Sequence, residues 1–330
     1  KWTPKQMSKA KKVAVLEGGD SPEAEISRLS ASQVFEALDN LGYQAKRFEI
    51  SHSGIAKTLT EFKPDVVFPA LHGPTGEDGT VQGFLEILGL PYVGSGVRGS
   101  ALAMDKHISK KVFDEIDIPN AKSKLVEHLP VNIDPLIEEV KTKIGERIVI
   151  KPVNQGSALG VEILNNLDSF GQKLKDCLQY GPCLIEQFFP GKEITVGILE
   201  VGTQIKAHPV IEIVTPENQW YDFKNRYAEN RSQHIVPAAI TNDLAKLLQD
   251  LAISAHQGLG LRDLSRADFI VGEDNQIILL EVNTLPGMTE TSLYPEGARH
   301  LGYDFQDLTK LLVEQAYKRG TRSPLLPKPN

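Results

Sequence analysis

Two carboxylates, an amide and a guanidinium fall within eighteen positions of this chain, as Arg266, Asp268, Glu281 and Asn283. Hard oxygen donors without Cys or His suit Mg²⁺, which takes one or two carboxylates and fills its shell with water and phosphate oxygens. Whether the four can meet depends on the backbone between them. Arg266–Val271 and Ile277–Asn283 read as apolar-rich strands around the turn Gly272-Glu273-Asp274-Asn275. If that turn sets Val271 against Gln276, then Arg266 faces Glu281 and Asp268 faces Leu279. Strand side chains alternate, so all four would then project from one face. A single-residue bulge would scatter them. On these residues alone, a surface hairpin with ordinary salt bridges is an equal alternative.

Other segments carry charge or small residues in suggestive places. Ile148–Lys151 ends a buried strand on a lysine, and Val153–Gly160 follows with Gly156 and Ser157. Small residues let backbone N–H groups approach an anion, and the lysine adds charge; a Gly-rich hairpin with a snorkelling lysine fits equally. Cys183–Gly191 runs from a strand into a connection whose free edge groups and apolar wall suit an adenine ring, or serve as an interdomain linker. Glu23 lies in the first turn of a helix, where the dipole alone explains it. His72-Gly73 and Gly76–Gly79 form a loop at the sheet end where α/β proteins place ligands. Lys106 follows Asp105 inside a helix predicted over Ser100–Ile116, where solvated ion pairing is its plainer role. Gly94-Ser95-Gly96-Val97-Arg98-Gly99 fits the dinucleotide fingerprint, but it follows a short strand begun by Pro91 rather than the first strand of its unit. No Walker phosphate loop occurs.

The elements that must position these residues are legible in outline. Val13–Leu16 is an apolar run ending in Gly18-Gly19, with a helix after it capped by Ser21 and opened by Pro22. Strands over 45–50 and Asp65–Leu71 and a helix carrying Val81, Phe84, Leu85 and Leu88 give a β-α-β-α-β-α order, hence a parallel sheet. A second unit runs from about 96 to 190. A third, from about 191, holds strands at Ile194–Val201 and His208–Val214, a long aperiodic segment Pro216–His234 suited to a lid, a helix near 243–259, the hairpin and a last helix near 305–318. With 330 residues, 41% hydrophobic and 24% charged, the chain is long enough for about two or three cores. A net charge of −7 argues against a general nucleic-acid binder. No apolar run approaches a membrane span, and Lys1–Lys12 lacks a signal-peptide core, so a cytoplasmic protein is expected. Cys177 and Cys183 are expected to act as small buried hydrophobes rather than as a disulfide or metal pair.

Taken in order, the segments resemble the D-alanine–D-alanine ligases of the ATP-grasp superfamily over nearly the whole chain. The resemblance rests on Gly18-Gly19 with Glu23–Ser27, His72-Gly73 through Glu77–Thr80, Met104–Lys106, Lys151-Pro152 through Gly156-Ser157, Glu193–Val196, Tyr221-Asp222 through Tyr227, Arg266–Asp268, and Glu281 through Ser292-Leu293. It implies an α/β fold, α+β in its C-terminal part, with three domains: a Rossmann-like 1–95, a central 96–190 and a C-terminal 191–330.

The resemblance also implies ATP, two Mg²⁺ ions (Mn²⁺ as a substitute), D-alanine as substrate and a homodimer, with no nucleic-acid or membrane partner. Lys106 and Lys151 match phosphate-contacting lysines, with Ser157 in a lid over the phosphates. Glu186, Gln187 and Phe189 match an adenine-binding strand, Glu193 a ribose-binding carboxylate, and Arg226 a charged position beside Tyr227. Asp268, Glu281 and Asn283 match the metal ligands. Glu23 would hold the first substrate's ammonium, in a network with Ser157 and Tyr227. Arg266 and the Gly287 N–H would line an oxyanion site, His72 would stand near the second substrate, and Ser292 and Leu293 would receive its carboxylate. Ala24, Ala158, Gln187 and Arg226 depart from the residues usual at their positions. Two alternatives follow: a related ligase using D-serine or D-lactate as second substrate, and a nucleotide-dependent oxidoreductase built on Gly94–Gly99.

Overall fold

In the computed structural model, residues 12–51, 54–215 and 233–321 are described. The first apolar run forms β1 (Lys12–Glu17), whose Val13–Leu16 are wholly buried. After α1 (Ala24–Asn40), β2 (Gln44–Glu49), α2 (Ile55–Phe62) and β3 (Val66–Pro69) comes α3 (Thr80–Leu88), stopped by Gly89 in the left-handed region at φ 64°. The strands pair in parallel in the order β2-β1-β3, as the alternating pattern requires. The first helix begins later than expected: Glu23, not Ser21, holds its N-cap position. The Ser21 hydroxyl instead donates to the His72 carbonyl (3.0 Å) and accepts the Glu23 N–H (3.2 Å), tying the two ligand-side loops together.

The helix predicted over Ser100–Ile116 is two helices, α4 (Val97–Met104) and α5 (Lys106–Glu115). Asp105 breaks it: extended at φ −80° and ψ 99°, it accepts the Ile108 N–H at 2.9 Å and so caps α5. Four antiparallel strands follow, ordered β4 (Ser123–Val126), β7 (Cys183–Gln187), β5 (Ile148–Pro152), β6 (Glu162–Leu164). Helices α6 (Asp134–Lys143) and α7 (Phe170–Cys177) pack on them through Val140, Phe170 and Leu174. Cys177 and Cys183 are buried there but are joined in a disulfide, Cα atoms 6.4 Å apart, which corrects the expectation of separate thiols. The short 3₁₀ turn Leu178–Tyr180 folds the end of α7 back onto the start of β7 and brings them within reach.

The largest sheet is antiparallel: β11 (Gln233–Ile235), β10 (Ile211–Val214), β8 (Lys192–Val201), β12 (Leu264–Val271) and β13 (Ile277–Asn283), with β9 (Gln204–Ala207) also on β8. Helix α8 (Asn242–Gly258) covers one face, and α4 and α5 add Ala103 and Phe113 to the same core. Two helices follow the hairpin. Of these, α9 (Leu293–His300) was not foreseen, whereas α10 (Phe305–Arg319) was. Leu308, Leu312 and Val313 of α10 join Val34 and Leu38 of α1 in one cluster, so α10 completes the core that α1 begins. Among the described residues no helix is long and apolar enough to cross a membrane.

Candidate active site

The hairpin β12–β13 does gather Arg266, Asp268, Glu281 and Asn283 on one face, but by another register than the one expected. Gly272 N–H donates to Gln276 O (2.9 Å) across a three-residue turn in which Asn275 takes φ 57°, so Val271 faces Ile277. That shift alone would turn Glu281 and Asn283 to the far face. A bulge between Asp268 and Phe269 shifts the ladder once more, setting Asp268 opposite Glu281 and Arg266 opposite Asn283. The bulge expected to scatter the cluster assembles it. Leu279 and Val282 then stay in the core while Leu280 and Glu281 both face the cleft.

The cluster is tightly satisfied. Arg266 donates to both oxygens of Asp268 (2.9 and 2.7 Å), Thr195 adds a hydroxyl donor at 2.6 Å, and Asn283 Nδ2 donates at 3.1 Å. Lys106 Nζ lies 3.3 Å from Glu281 and donates to Gln155 O at 2.6 Å. Lys106 is aimed there because α5 starts at it, with its own N–H on the Val153 carbonyl (3.2 Å). Two carboxylates and an amide, with a guanidinium already holding one carboxylate, form a donor set that fits a hard divalent cation.

Between this hairpin and the second sheet lies a cleft of about 410 Å³. Ile163, Phe188, Ile270, Ile278 and Leu280 give it apolar walls, and Lys106, Lys151, Lys192, Glu186, Glu193, Glu212 and Glu281 line it with charge. Glu186, Gln187 and Phe189 border it, but the N–H groups of Gln187 and Phe188 already donate to Lys122 O (3.0 Å) and Arg147 O (3.2 Å). The expectation of free edge groups does not hold for those two N–H groups. The Glu186 carboxylate is buried between Lys151 (2.7 Å) and Lys110 (3.0 Å). Burial pushes it up, but the two ammonium groups outweigh that and hold it below the usual carboxylate range. Burial lowers Lys110 in turn. Lys110 was missed by sequence reading, although its place one helical turn after Lys106 puts both on one face.

Where the N-terminal sheet meets this cluster, Glu23, Gly73, Gly156 and Ser157 converge. The Ser157 hydroxyl donates to Glu23, and Ser157 and Ala158 occupy φ 48° and 59°. A Cβ on Gly156 or Gly73 would come within 2.9 or 2.6 Å of the Glu23 carboxylate. Both glycines thus face the same carboxylate, which brings their two loops together.

His72 is buried with both ring nitrogens committed, Nδ1 to Leu285 O (3.1 Å) and Nε2 to Ser30 Oγ (3.1 Å). Burial lowers its pKa, so the ring is neutral. Glu77, also missed, is buried beside it and is pushed up to about 8, first by burial and then by the charge of Glu23. Ser292 stands at the N-cap of α9 with its hydroxyl on Thr289 N–H (3.2 Å), and Leu293 opens the helix, leaving an N-terminus suited to an anion. A Cβ on Gly287 would lie 2.9 Å from Ser292 Oγ, so the two are adjacent. Arg226, Tyr227 and most of the segment expected as a lid fall on 216–232, outside the described residues.

The dinucleotide-like Gly94–Gly99 is used elsewhere. Gly94 N–H donates to Asp263 (2.7 Å), Arg262 Nε to Gly94 O (2.7 Å), and Arg319 binds Asp263 (2.9 Å) and Tyr92 O (2.8 Å). At the crevice where a Rossmann-type sheet would take a ribose, Glu49 accepts Gly19 N–H (3.1 Å) and is held by Arg28 (2.9 and 3.0 Å).

The D-ala D-ala ligase C-terminus family model matches residues 112–314 and the D-ala D-ala ligase N-terminus model residues 52–95. The chain is 40% identical over 315 residues to D-alanine–D-alanine ligase B of Mesorhizobium japonicum, covering 93% of this chain and 98% of that one. It is 41% identical over 310 residues to the D-alanine–D-alanine ligase of Rhodospirillum rubrum, with the same coverage. Among solved structures, the VanG D-Ala:D-Ser ligase from Enterococcus faecalis superposes with a TM-score of 0.80 at 28% identity, over 94% of this chain and all of that one. The D-alanine–D-alanine ligase from Bacillus anthracis complexed with ATP gives 0.79 at 29% identity, over 94% and 98%.

Proposed function

The chain belongs to the D-alanine–D-alanine ligase family, and we propose that it joins two D-alanine molecules at the expense of ATP, supplying the dipeptide to peptidoglycan precursor synthesis. The observation that carries this reading is the convergence of Glu23, Ser157, Arg266, Asp268, Glu281 and Asn283 between one apolar cleft and one helix N-terminus.

A carboxylate is a poor acyl donor because its leaving group would be oxide. Transfer of the γ-phosphoryl group to the first D-alanine's carboxylate gives an acyl phosphate and ADP. The amine of the second D-alanine then attacks that carbonyl, the C–O bond to phosphate breaks, and the nitrogen loses a proton as the peptide bond forms. Glu23 suits the first substrate's ammonium, and Ser157 fixes the carboxylate that holds it. Lys106 and Lys151, which line the cleft, would meet the phosphates, while the cleft beside Gln187 and Phe189 would take the adenine and Glu193 the ribose. Asp268, Glu281 and Asn283 would hold Mg²⁺, with Mn²⁺ as a substitute; when bound there, the ions supply positive charge against the transferring phosphoryl group. Arg266 and the Gly287 N–H serve charge on the carbonyl oxygen. Ser292 and the start of α9 receive the second carboxylate. Domain divisions near 95 and 190, a homodimer and a cytoplasmic location belong to the same proposal.

The test is phosphate release and dipeptide formation from ATP with D-alanine, against L-alanine, D-serine and D-lactate. Turnover with D-alanine and not with L-alanine is expected, and a lack of D-alanine turnover in folded protein overturns the reading. Glu281→Gln should abolish phosphate release while leaving the thermal midpoint within a few degrees, and wild-type turnover in that variant would sink the metal assignment.

A further inference from the structure

The backbone of Leu285–Met288, which connects the hairpin to α9, is gripped from the N-terminal sheet by three side chains that the proposed mechanism does not use as chemistry. Glu77 spans two loops: one oxygen accepts Gly73 N–H (2.7 Å) and the other Leu285 N–H (3.2 Å), two donors that suit the ionised carboxylate and pull against the burial that raises its pKa. His72 Nδ1 lies 3.1 Å from the Leu285 carbonyl, which can only accept, so that nitrogen carries the proton. Its Nε2 is then an acceptor and takes the Ser30 hydroxyl at 3.1 Å. The Ser30 oxygen in turn accepts Met288 N–H at 3.3 Å. Both polar groups of Leu285 and the amide of Met288 are thus fixed on either side of Pro286-Gly287. Ser30 is fully buried in α1, and His72 and Glu77 are 7% and 8% exposed, so water does not compete for these bonds.

We propose that Glu77 and Ser30, acting with His72, are positioning residues that clamp Leu285 and Met288 and so aim the intervening Gly287 N–H at the reacting carbonyl oxygen. This rests on the assignment of that N–H to the oxyanion site. It also gives His72 another role than contact with the second substrate, since neither ring nitrogen is left to reach one. The sense of the hydrogen bonds requires a neutral ring, and burial keeps it so. A donor stabilises developing charge only if it is held at 2.7–3.1 Å from where the oxygen will be, and holding two flanking amides limits how far the one between them can swing.

Two variants test the clamp in the full-length chain. Glu77→Gln replaces one acceptor by an NH₂ that faces an N–H donor, and the longer bond, to Leu285, is the one expected to open. Ser30→Ala removes the acceptor of Met288 N–H. Hydrogen exchange is read at the Leu285 and Met288 amides, alongside kcat, KM for ATP and for D-alanine, phosphate released per dipeptide, and the thermal midpoint. Each variant should speed exchange at its own amide and lower kcat about 10-fold, the equivalent of one hydrogen bond of ~1.4 kcal/mol, with KM for ATP unchanged. Phosphate per dipeptide should rise above one, because an acyl phosphate that waits for the amine is exposed to water. Unchanged exchange overturns the clamp. Faster exchange with unchanged kcat and coupling overturns its positioning role, as does a fall in the thermal midpoint matched by equal losses in every kinetic constant. If Glu77→Gln does not fold, Ser30→Ala carries the test alone. Wild-type protein that makes no dipeptide indicts the ligase reading, whereas wild-type turnover with insensitive variants indicts the clamp only.

Discussion

Gly94–Gly99 and Val153–Gly160 both set glycines and a serine beside the end of a strand, yet their glycines face different neighbours. A Cβ on Gly99 would lie 2.9 Å from the Gly260 carbonyl oxygen and 3.0 Å from Leu261, and one on Gly94 would press Leu285 at 3.0 Å. A Cβ on Gly156 would meet the carboxylate of Glu23 at 2.9 Å. The first segment is small so that Gly99 can lie on the Gly260 backbone and Gly94 against the Leu285 side chain. The second is small so that a loop can close over a charged side chain. A glycine motif states that something must come close; only the neighbour says whether that something is structure or substrate machinery.

The difference can be broken at its functional end with Gly156→Val. Its side chain would push the loop off Glu23 and carry Ser157 with it, and displacements of about 1 Å in a reacting geometry cost on the order of 100-fold. Dipeptide synthesis should fall by that order, with the largest rise in KM for the first D-alanine and a thermal midpoint close to wild type. Near-wild-type kinetics would show that the closure of this loop on Glu23 is incidental.

At the structural end, Gly99→Ala places a methyl against the Gly260 carbonyl and Leu261, neither of which can swing aside as a surface side chain would. Overpacking of this kind costs about 1–3 kcal/mol, so the midpoint of denaturant unfolding should fall while kcat per folded molecule stays at the wild-type value. NADH fluorescence should be unaffected by either protein. A Gly99→Ala variant with normal stability and impaired nucleotide use would reverse the assignment of the two segments.

Which parts of this molecule could be read from residues alone follows from how local their causes are. The parallel sheet was legible because Val13–Leu16, the α1 stripe and the Gly89 stop are each written within one element. The common face of Arg266, Asp268, Glu281 and Asn283 was anticipated, but through a register the structure replaces. Asn275 in the left-handed region sets the turn, and a bulge that no local pattern announces restores the alternation. The break at Asp105 had a signal that went unused, an N-cap residue inside an apolar helical stripe. Glu77 had none: in Gly76-Glu77-Asp78-Gly79 it looks like its solvated neighbour, and of the two N–H groups it accepts when buried, one is on Gly73 and the other on Leu285, more than two hundred positions away. Sequence periodicity reports what one element does with its own core; it is silent where two elements share a polar atom.

A third glycine pair sharpens the distinction, because it faces a titratable group outside the site. A Cβ on Gly297 would come within 2.6 Å of the His208 ring, and one on Gly197 would overlap it. The ring is fully buried, tilted against Tyr294 with centroids 4.7 Å apart, and neither nitrogen has a hydrogen-bond partner among the described residues. Burial alone pushes its pKa down to about 3 from an ordinary 6.5. The folded state therefore keeps His208 neutral while the unfolded chain takes up a proton near pH 6.5. The stability this residue contributes is whole above that pH and is lost progressively as pH falls toward 3. Between pH 7 and pH 5.5 the loss should be roughly 1 kcal/mol, the proton-uptake term for one such group. His208→Leu should flatten that part of the acid limb in urea unfolding measured across the range, and leave the pH dependence of kcat as in wild type. Parallel stability curves for the two proteins would remove His208 as the cause, and a shifted kcat profile would move this glycine pair from the structural class to the functional one.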